Sequence, residues 1–446
     1  MGLFDKFFGR KEEDASPPPS SPIRFGRYSD NNKTIAKTRR WYDAEEHFKA
    51  KRYTESIEAF FDYLRDETED NVRLRREGNN FSFEIYQGTK IVKGLIDDRE
   101  ITASVSLARM DTPSVPVMRR LLEHNFSLYY SRYALRENIL CMLFDSTRDT
   151  GSPNKLYYGL KEIATKADKQ DDLLVTDFSS LQPIDDSHVL PFPDQEKEVK
   201  YNFFVQWIQG TLKRIDELNQ DSFSGGIAYL LLSLIYRIDY LITPEGKLLN
   251  EIERIHNLYW TGKEEKTAVE RNQMMKEAFQ KLLNWPRQEI TKYFYRAKAS
   301  FAVTLPKPHS AVAESIHAAN ENMFWYRDNN YPDIALAVLE YGLAFAQYSY
   351  SLPKTLTDLY DVMMRILHPE FYEALGLDTS LLKFVRPDAD RIQTHIQSIL
   401  NPVRDKYPKL MLDTSKLNYT NRIEFLYSFL NEIESLNFET PPVHPS

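Results

Sequence analysis

Two stretches decide the fold of the first half of the chain: residues 81–86, which read FSFEIY, and residues 101–107, which read ITASVSL. In each stretch apolar and polar residues alternate, and a period of two indicates a β-strand with one buried face. Between them a turn at Gln87-Gly88 leads to a third apolar stretch at residues 91–96. Because the connections are short, the three strands are predicted to form an antiparallel meander.

The elements that follow the meander extend it into an α+β module over residues 78–176. The spacing of apolar residues predicts a helix at 113–123, followed by two strands at 126–134 and 138–144. The second of these strands is almost continuously apolar, which indicates burial on both faces. Ser152 before Pro153 is typical of a helix start, so a last helix is predicted to begin there.

The segment Met118-Arg119-Arg120-Leu121-Leu122-Glu123-His124-Asn125 resembles the helix end of YbjN-like domains, which are similar in fold to the secretion chaperones of type III systems. The strand pair after it and the helix at 155–168 fit the same pattern, so the resemblance covers residues 78–176. It implies a bacterial, non-enzymatic domain with no catalytic residues. The chaperone branch dimerises and binds extended client segments, so the resemblance also implies a client protein and a homodimer through the sheet module.

Residues 34–70, before the module, are predicted to form a helical hairpin. Small and aromatic residues alternate at helical spacing on both sides of a break near residues 51–52, as in a tetratricopeptide (TPR) unit. The residues that carry this similarity are Trp41, Ala44, Phe48, Tyr53, Ser56, Ile57, Phe60 and Tyr63. A single unit cannot bury both its faces, so the hairpin is expected to dock on another part of the chain.

Beyond a Pro-containing linker at residues 177–197, the chain is predicted to be a large all-α, TPR-like domain over residues 198–438. A wide apolar face between residues 227 and 242 predicts its central core helix. Residues 318–339 repeat the small and aromatic pattern of the first hairpin and predict a second one. The other helices are expected at 200–219, 247–260, 265–284, 287–302, 310–328, 332–350, 354–368, 388–404 and 420–436.

The two ends of the chain are predicted to be disordered, at residues 1–33 and 439–446. The first residues form a short amphipathic pattern, in which Leu3, Phe4, Phe7 and Phe8 share one helical stripe. This pattern suggests one alternative function, that of a peripheral membrane adaptor anchored by residues 1–11.

Composition excludes several classes of protein. A mean hydropathy of −0.51 excludes a polytopic membrane protein. A single cysteine excludes a disulfide framework and a thiolate-rich metal site. The net charge of −8, from 57 basic and 65 acidic residues, argues against broad nucleic-acid binding. Two basic clusters, residues 37–40 and 73–76, could touch phosphate, but a solvated helix face is the simpler interpretation of the second. The expected location is cytoplasmic.

Reactive motifs are absent from the sequence: it has no phosphate-binding loop, no nucleophile elbow and no paired metal-binding histidines. No catalytic residue, metal or cofactor is predicted. The main hypothesis is a non-enzymatic protein-binding or chaperone-like adaptor, acting through the α+β module and the helical hairpins. The remaining alternative is an enzyme with a dispersed site, for which His124, Asn125 and Cys141 are the first candidates. Cys141 lies in an apolar strand, which favours a core role for it.

Overall fold

A computed structural model describes residues 23–66, 69–184, 188–384 and 386–441. The fold is α+β followed by all-α, as predicted: a helical hairpin and an antiparallel sheet come first, and many helices follow. The first part contains α1 (Ile35–Lys49), α2 (Tyr53–Leu64), β1 (Val72–Glu77), β2 (Asn80–Gln87), β3 (Lys90–Ile96), β4 (Glu100–Arg109), α3 (Val115–Asn125), β5 (Ser131–Arg136), β6 (Ile139–Thr147), α4 (Pro153–Asp177) and β7 (Gln182–Pro183).

The sheet is antiparallel, with the strand order β1-β2-β3-β4-β6-β5, and the short β7 pairs with the end of β4. Its register places Phe83 opposite Gly94 and Val105 opposite Met142, all on the buried face that α4 covers. Gly94 is required there, because the Phe83 ring occupies the space that a Cβ would need. The alternating apolar residues of the predicted meander therefore do form the buried face of the sheet.

Strand β1 corrects one sequence prediction. Residues 73–76 are expected on a solvated helix face, and this is wrong, because they lie in a strand paired with β2. The reason is that Val72 and Leu74 contribute to the core of the module, while Arg73 and Arg75 lie on the opposite face of the strand. This period of two is hidden in the sequence by the charged residues. The predicted helix start at Ser152 is confirmed, since its side chain caps α4.

The second part is helical. It contains β8 (Leu190–Pro191), α5 (Asp194–Asp216), α6 (Ser224–Arg237), α7 (Gly246–Trp260), α8 (Ala268–Leu283), α9 (Arg287–Thr291), β9 (Tyr295–Arg296), α10 (His309–Asp328), α11 (Pro332–Ser349), α12 (Lys354–Leu367), α13 (Pro369–Ala374), β10 (Leu382–Lys383), β11 (Arg386–Pro387), α14 (Ala389–Leu400) and α15 (Arg422–Glu434). Short 3-10 turns connect several of these elements.

Helix α6 is the central core helix that the apolar face predicts, and it continues through a π-helical turn to Ile242. Within the described residues, Ser224–Ile242 is the one helix long and apolar enough to cross a membrane, judged by length and composition. However, 78% of this window is buried inside the protein, which is the environment of a core helix in a soluble protein.

The second predicted hairpin is formed by α10 and α11. The two helices approach closely where Gly342 faces Ala319, since a Cβ on the glycine would lie 2.8 Å from the alanine Cβ. At the same crossing the Ser315 hydroxyl donates to the Gly342 carbonyl oxygen at 2.7 Å. Small residues thus permit the contact, as the sequence pattern indicates.

Residues 23–33 correct the prediction of a disordered segment at 1–33, for the part that is described. Arg27 is paired with two buried or half-buried carboxylates of the helical part, those of Asp239 and Glu253, at 2.7 and 3.1 Å. Ser29 bonds to the backbone of Leu352 at 2.7 Å. We call residues 23–33 the N-terminal strap. The proposed amphipathic start at residues 1–11 and the tail beyond residue 441 lie outside the described residues.

The segment at 292–303 corrects a second prediction. A helix is expected at 287–302, but α9 ends at Thr291, and after a turn at 292–293 the chain passes through strand β9 to the sheet module. There Gly88 forms a β-bridge with Lys298, and the backbone N–H groups of Ser300 and Phe301 donate to the Gln87 side chain. The Phe301 ring is fully buried in the core of the sheet module. We call this the crossing segment.

The predicted linker at residues 177–197 is likewise packed at both ends. Leu181 is buried in the core of the sheet module, and Phe192 is buried in the core of the helical part. Strand β8, between them, pairs with β9 of the crossing segment. The two parts of the chain are therefore joined by three packed connections: the strap, the linker and the crossing segment.

Candidate functional site

A cleft of about 840 Å³ lies where the first helical hairpin meets the helical part of the chain. Its walls come from the N-terminal strap, α1, the start of α10, the start of α12 and the residues that follow α15. Distant pieces of sequence thus converge, and junctions of this kind are a common location for binding sites. Its volume lies within the range of about 300–1,000 Å³ that is typical of ligand pockets.

Aromatic side chains form much of the wall: Trp41, Tyr42, Tyr63, Tyr407 and Phe438. On one side the Trp41 ring packs at 5.0 Å from the Tyr63 ring, and on the other the Phe438 ring lies 5.2 Å from Tyr407. Tyr42 is 45% exposed, so its ring is available to a ligand. Such rings provide flat, rigid contact area.

Three lysines, Lys33, Lys307 and Lys406, also line the cleft. Two of them are tied into the fold, since Lys33 donates to the Leu64 carbonyl oxygen at 3.0 Å and Lys406 donates to that of Lys33 at 2.8 Å. Burial lowers the pKa of Lys33 to about 8, although Asp30 opposes the shift. The third, Lys307, is exposed and forms no ion pair with any described residue.

Two carboxylates share the cleft, and both already have partners. Asp30 accepts from the Tyr157 hydroxyl at 2.7 Å, and Glu439 accepts from the Lys409 ammonium at 2.6 Å. The three ammonium groups of the lining therefore outnumber its carboxylates, and Lys307 is the cation left for a ligand. The cleft is suited to an acidic ligand.

His309 lies at the start of α10 and lines the cleft. Its Nε2 is 2.9 Å from the Ile433 carbonyl oxygen, which assigns the proton to Nε2 as a donor. Burial lowers the pKa of His309, so the ring is neutral at pH 7. Its Nδ1 is buried without a hydrogen-bond partner in the described chain and is the free acceptor of the ring.

The trio of His124, Asn125 and Cys141 does not form a site. The His124 ring lies 6.0 Å from the Tyr133 ring, on the buried side of the sheet, while Cys141 pairs with the next residue of β5, Ala134. Neighbouring residues of a strand point to opposite faces, so the sheet separates His124 from the thiol. Asn125 accepts from the Tyr133 backbone N–H at 2.8 Å, and burial raises the pKa of Cys141.

The two basic clusters are engaged in the fold. In the first, Arg40 pairs with Asp43 and Asp62, both at 2.9 Å. In the second, Arg76 pairs with Glu58 at 2.7 Å, across to α2. These ion pairs occupy Arg40 and Arg76, while Arg39 and Arg75 are exposed.

The sequence identifies only one wall of the cleft. Trp41 and Tyr63 belong to the predicted hairpin, but the opposite wall, with Tyr407 and Phe438, is outside every predicted motif. One signal was present: Phe438 is an isolated aromatic residue in the polar sequence Asn437-Phe438-Glu439.

No set of three or more acidic, histidine or cysteine side chains among the described residues is arranged to hold a metal ion. Comparison with known proteins gives no further assignment: no family model matches the chain, and no curated protein matches it either.

Proposed function

We propose that this chain is a non-enzymatic protein-binding adaptor, which takes an extended, acidic segment of a partner protein into the cleft. The observation that carries the proposal is the combination of an aromatic wall with the unpaired ammonium group of Lys307 in a cavity of about 840 Å³. Aromatic residues are enriched where proteins bind each other, because they contribute large apolar area with little loss of side-chain freedom.

The arrangement of charge supports binding in preference to catalysis. A general acid–base mechanism needs a titratable group within hydrogen-bond reach of its partner and of the reacting atom. In the cleft the Asp30 carboxylate and the His309 Nε2 are both engaged by the fold, the first by Tyr157 and the second by Ile433. What remains accessible is the ammonium group of Lys307 and the aromatic faces, which recognise a ligand by contact.

The proposal shares one feature with the chaperone-like role that the resemblance of residues 78–176 to YbjN-like domains implies: an extended client segment as ligand. The cleft itself is lined by residues outside that range. An extended client segment offers backbone groups and side chains along its length, so it can engage aromatic and charged groups at several points. A cytoplasmic, bacterial setting and binding of client proteins belong to the same proposal.

Peptide display on the full chain tests this function. A library of extended peptides selected on the immobilised protein is expected to become enriched in Asp and Glu next to aromatic or aliphatic residues. The affinity of the selected peptides is then measured by fluorescence anisotropy. Binding should weaken at high salt, because the charge attraction is screened.

Two exposed side chains of the cleft provide the variants. Lys307→Glu and Tyr42→Ala are each expected to lower the affinity of the selected peptides at least about tenfold, as hot-spot substitutions do. The matched control is Lys281→Glu, an exposed lysine at the end of α8 that does not line the cleft. Equal affinity for all variants, or enrichment of basic peptides, would contradict the proposal.

A further inference from the structure

A second surface lies at the corner of the sheet module where α3 leads into β5. Four large apolar side chains are exposed there: Val115 at 81%, Leu122 at 61%, Phe126 at 95% and Tyr129 at 91%. Single exposed apolar residues are common, but a group of this size close together in sequence indicates an interaction site. We call these four residues the α3 corner.

Helix α3 carries two apolar stripes. Val117 and Leu121 are buried and attach the helix to the module. Val115, Leu122 and Phe126 follow positions i, i+7 and i+11, so they lie on a different face, which is open to solvent. A stripe with this spacing has the geometry at which a second helix packs.

The backbone that presents the aromatic side chains is held in place by one carboxylate. Glu162 on α4 accepts from the backbone N–H groups of Tyr129, Tyr130 and Ser131, each at 2.8 Å, and from the Ser131 hydroxyl at 2.8 Å. A loop fixed in this way loses little freedom on binding, so its exposed rings are already organised for a partner.

The surroundings of the corner are basic. Arg119 is 82% exposed, although Glu123 pairs with it at 3.2 Å, and Arg120 and Lys166 are exposed nearby. Both cations act on His124: burial lowers the pKa of its ring, Arg120 and Lys166 lower it further, and Glu123 opposes the shift. A second copy of the chain would bring the same positive charges face to face, which opposes self-association through this surface.

We propose that the α3 corner binds an amphipathic helix of a partner protein, with acidic residues flanking its apolar stripe. The spacing of the exposed residues selects a helix, and the surplus of arginine and lysine selects acidic flanks. This surface shares no lining residue with the cleft, so it would give an adaptor a second, independent site.

The test is a selection of displayed helices on the full chain. A library of single helices, randomised on one face and its flanks, is expected to yield binders with apolar residues at i, i+3 or i+4 and i+7 and with Glu or Asp beside them. Their affinity should fall at least about tenfold for Leu122→Ser and for Phe126→Ser, which are exposed changes that leave the core intact. The control Trp325→Ser, an exposed aromatic residue on α10, should leave affinity unchanged.

Two further variants separate the possible results. Glu162→Ala keeps the apolar side chains but releases the loop, so it should also lower the affinity of the selected helices. Lys307→Glu in the cleft should leave that affinity unchanged. Failure to select helices that depend on Leu122 overturns this inference without affecting the cleft. Two other results would also overturn it: binding of the chain to phosphatidylserine vesicles that Leu122→Ser or Phe126→Ser abolishes, or dimerisation in light scattering that either variant abolishes.

Discussion

The crossing segment makes a quantitative prediction about stability. Phe301 belongs by sequence to the helical part, yet its ring is fully buried in the sheet module, with its centroid 5.6 Å from that of Tyr157. Phe301→Ala removes this ring and leaves a cavity between the two parts. Truncation of a buried Phe costs about 3–5 kcal/mol of unfolding free energy, and nothing in the surroundings suggests a smaller value.

The backbone around the ring makes collapse of the cavity difficult. Gln87 fixes the segment at both sides, because its Oε1 accepts from the N–H of Ser300 at 3.1 Å and of Phe301 at 3.0 Å, and its Nε2 donates to the Phe301 carbonyl oxygen at 3.3 Å. A site that cannot relax keeps its cavity, so we expect a loss in the upper half of the range. Val303→Ala is the matched control: its side chain is 54% exposed, and the expected change is within about 0.5 kcal/mol.

Two reporters allow the effect to be followed in both parts of the chain. Urea unfolding monitored by tryptophan fluorescence reports mainly on the helical part, which holds Trp207, Trp260, Trp285 and Trp325. The single cysteine, Cys141, is buried in the sheet, so the rate of its reaction with a thiol reagent reports opening of the module. A loss of 3 kcal/mol should raise the open population by more than about a hundredfold.

Because the ring joins the two parts, both reporters are expected to shift together in Phe301→Ala. A destabilisation below about 1 kcal/mol would refute the reasoning about the cavity. Faster labelling of Cys141 with an unchanged fluorescence transition would refute the claim that the two parts unfold as one unit.

Three other predictions concern the strap, a buried histidine and a close contact. Arg27→Ala should cost about 3–5 kcal/mol in urea unfolding, because it leaves the buried Asp239 carboxylate without its partner; a loss below 1 kcal/mol would count against the strap as a structural element. Burial lowers the pKa of His256 to about 4, against about 6.5 in the unfolded chain. Stability is therefore fully retained above pH 6.5, and roughly 3 kcal/mol is lost as the pH falls towards 4. His256→Gln should flatten this dependence, and an equal slope in both proteins would contradict the assignment. Gly94→Ala should lower the melting temperature through a cost of about 1–3 kcal/mol, since its Cβ would overlap the Phe83 ring; an unchanged value would show that the ring can move away.

The sequence predicts well those elements whose signal is local. The meander is visible because apolar and polar residues alternate at 81–86 and again at 101–107, and the register then follows from short turns. Helix α4 is visible because Ser152 and Pro153 mark its start. In both cases the information lies within a few residues of the element itself.

The elements that were missed depend on partners far away in the chain. The residues after α9 have a helix-compatible pattern, but Phe301 is buried by the sheet module and bonded to Gln87, 214 residues earlier. Residues 23–33 are polar and follow a Pro-rich stretch, so disorder is the natural prediction, yet Arg27 is placed by Asp239. Periodicity cannot report such contacts, because it describes only near neighbours.

The candidate site likewise can be predicted only where its residues are neighbours in the sequence. Trp41 and Tyr63 can be predicted to lie together, because a helical hairpin brings them together. Their distance from Phe438 depends on how the hairpin docks against the helical part. That docking depends on the strap, since Asp30 links Tyr157 of α4 to Ser351, which follows the end of α11.

The strap has a consequence for biosynthesis. Arg27 leaves the ribosome 212 residues before Asp239, and Ser29 leaves it 322 residues before Ser351. At about 5–20 residues per second, the strap waits roughly 10 to 60 s for its binding sites to be translated. Phe25 also waits for the aromatic side chains that cover it, because Tyr240, Phe371 and Tyr372 are all made later. The strap is therefore translated early but is among the last segments to reach its native position.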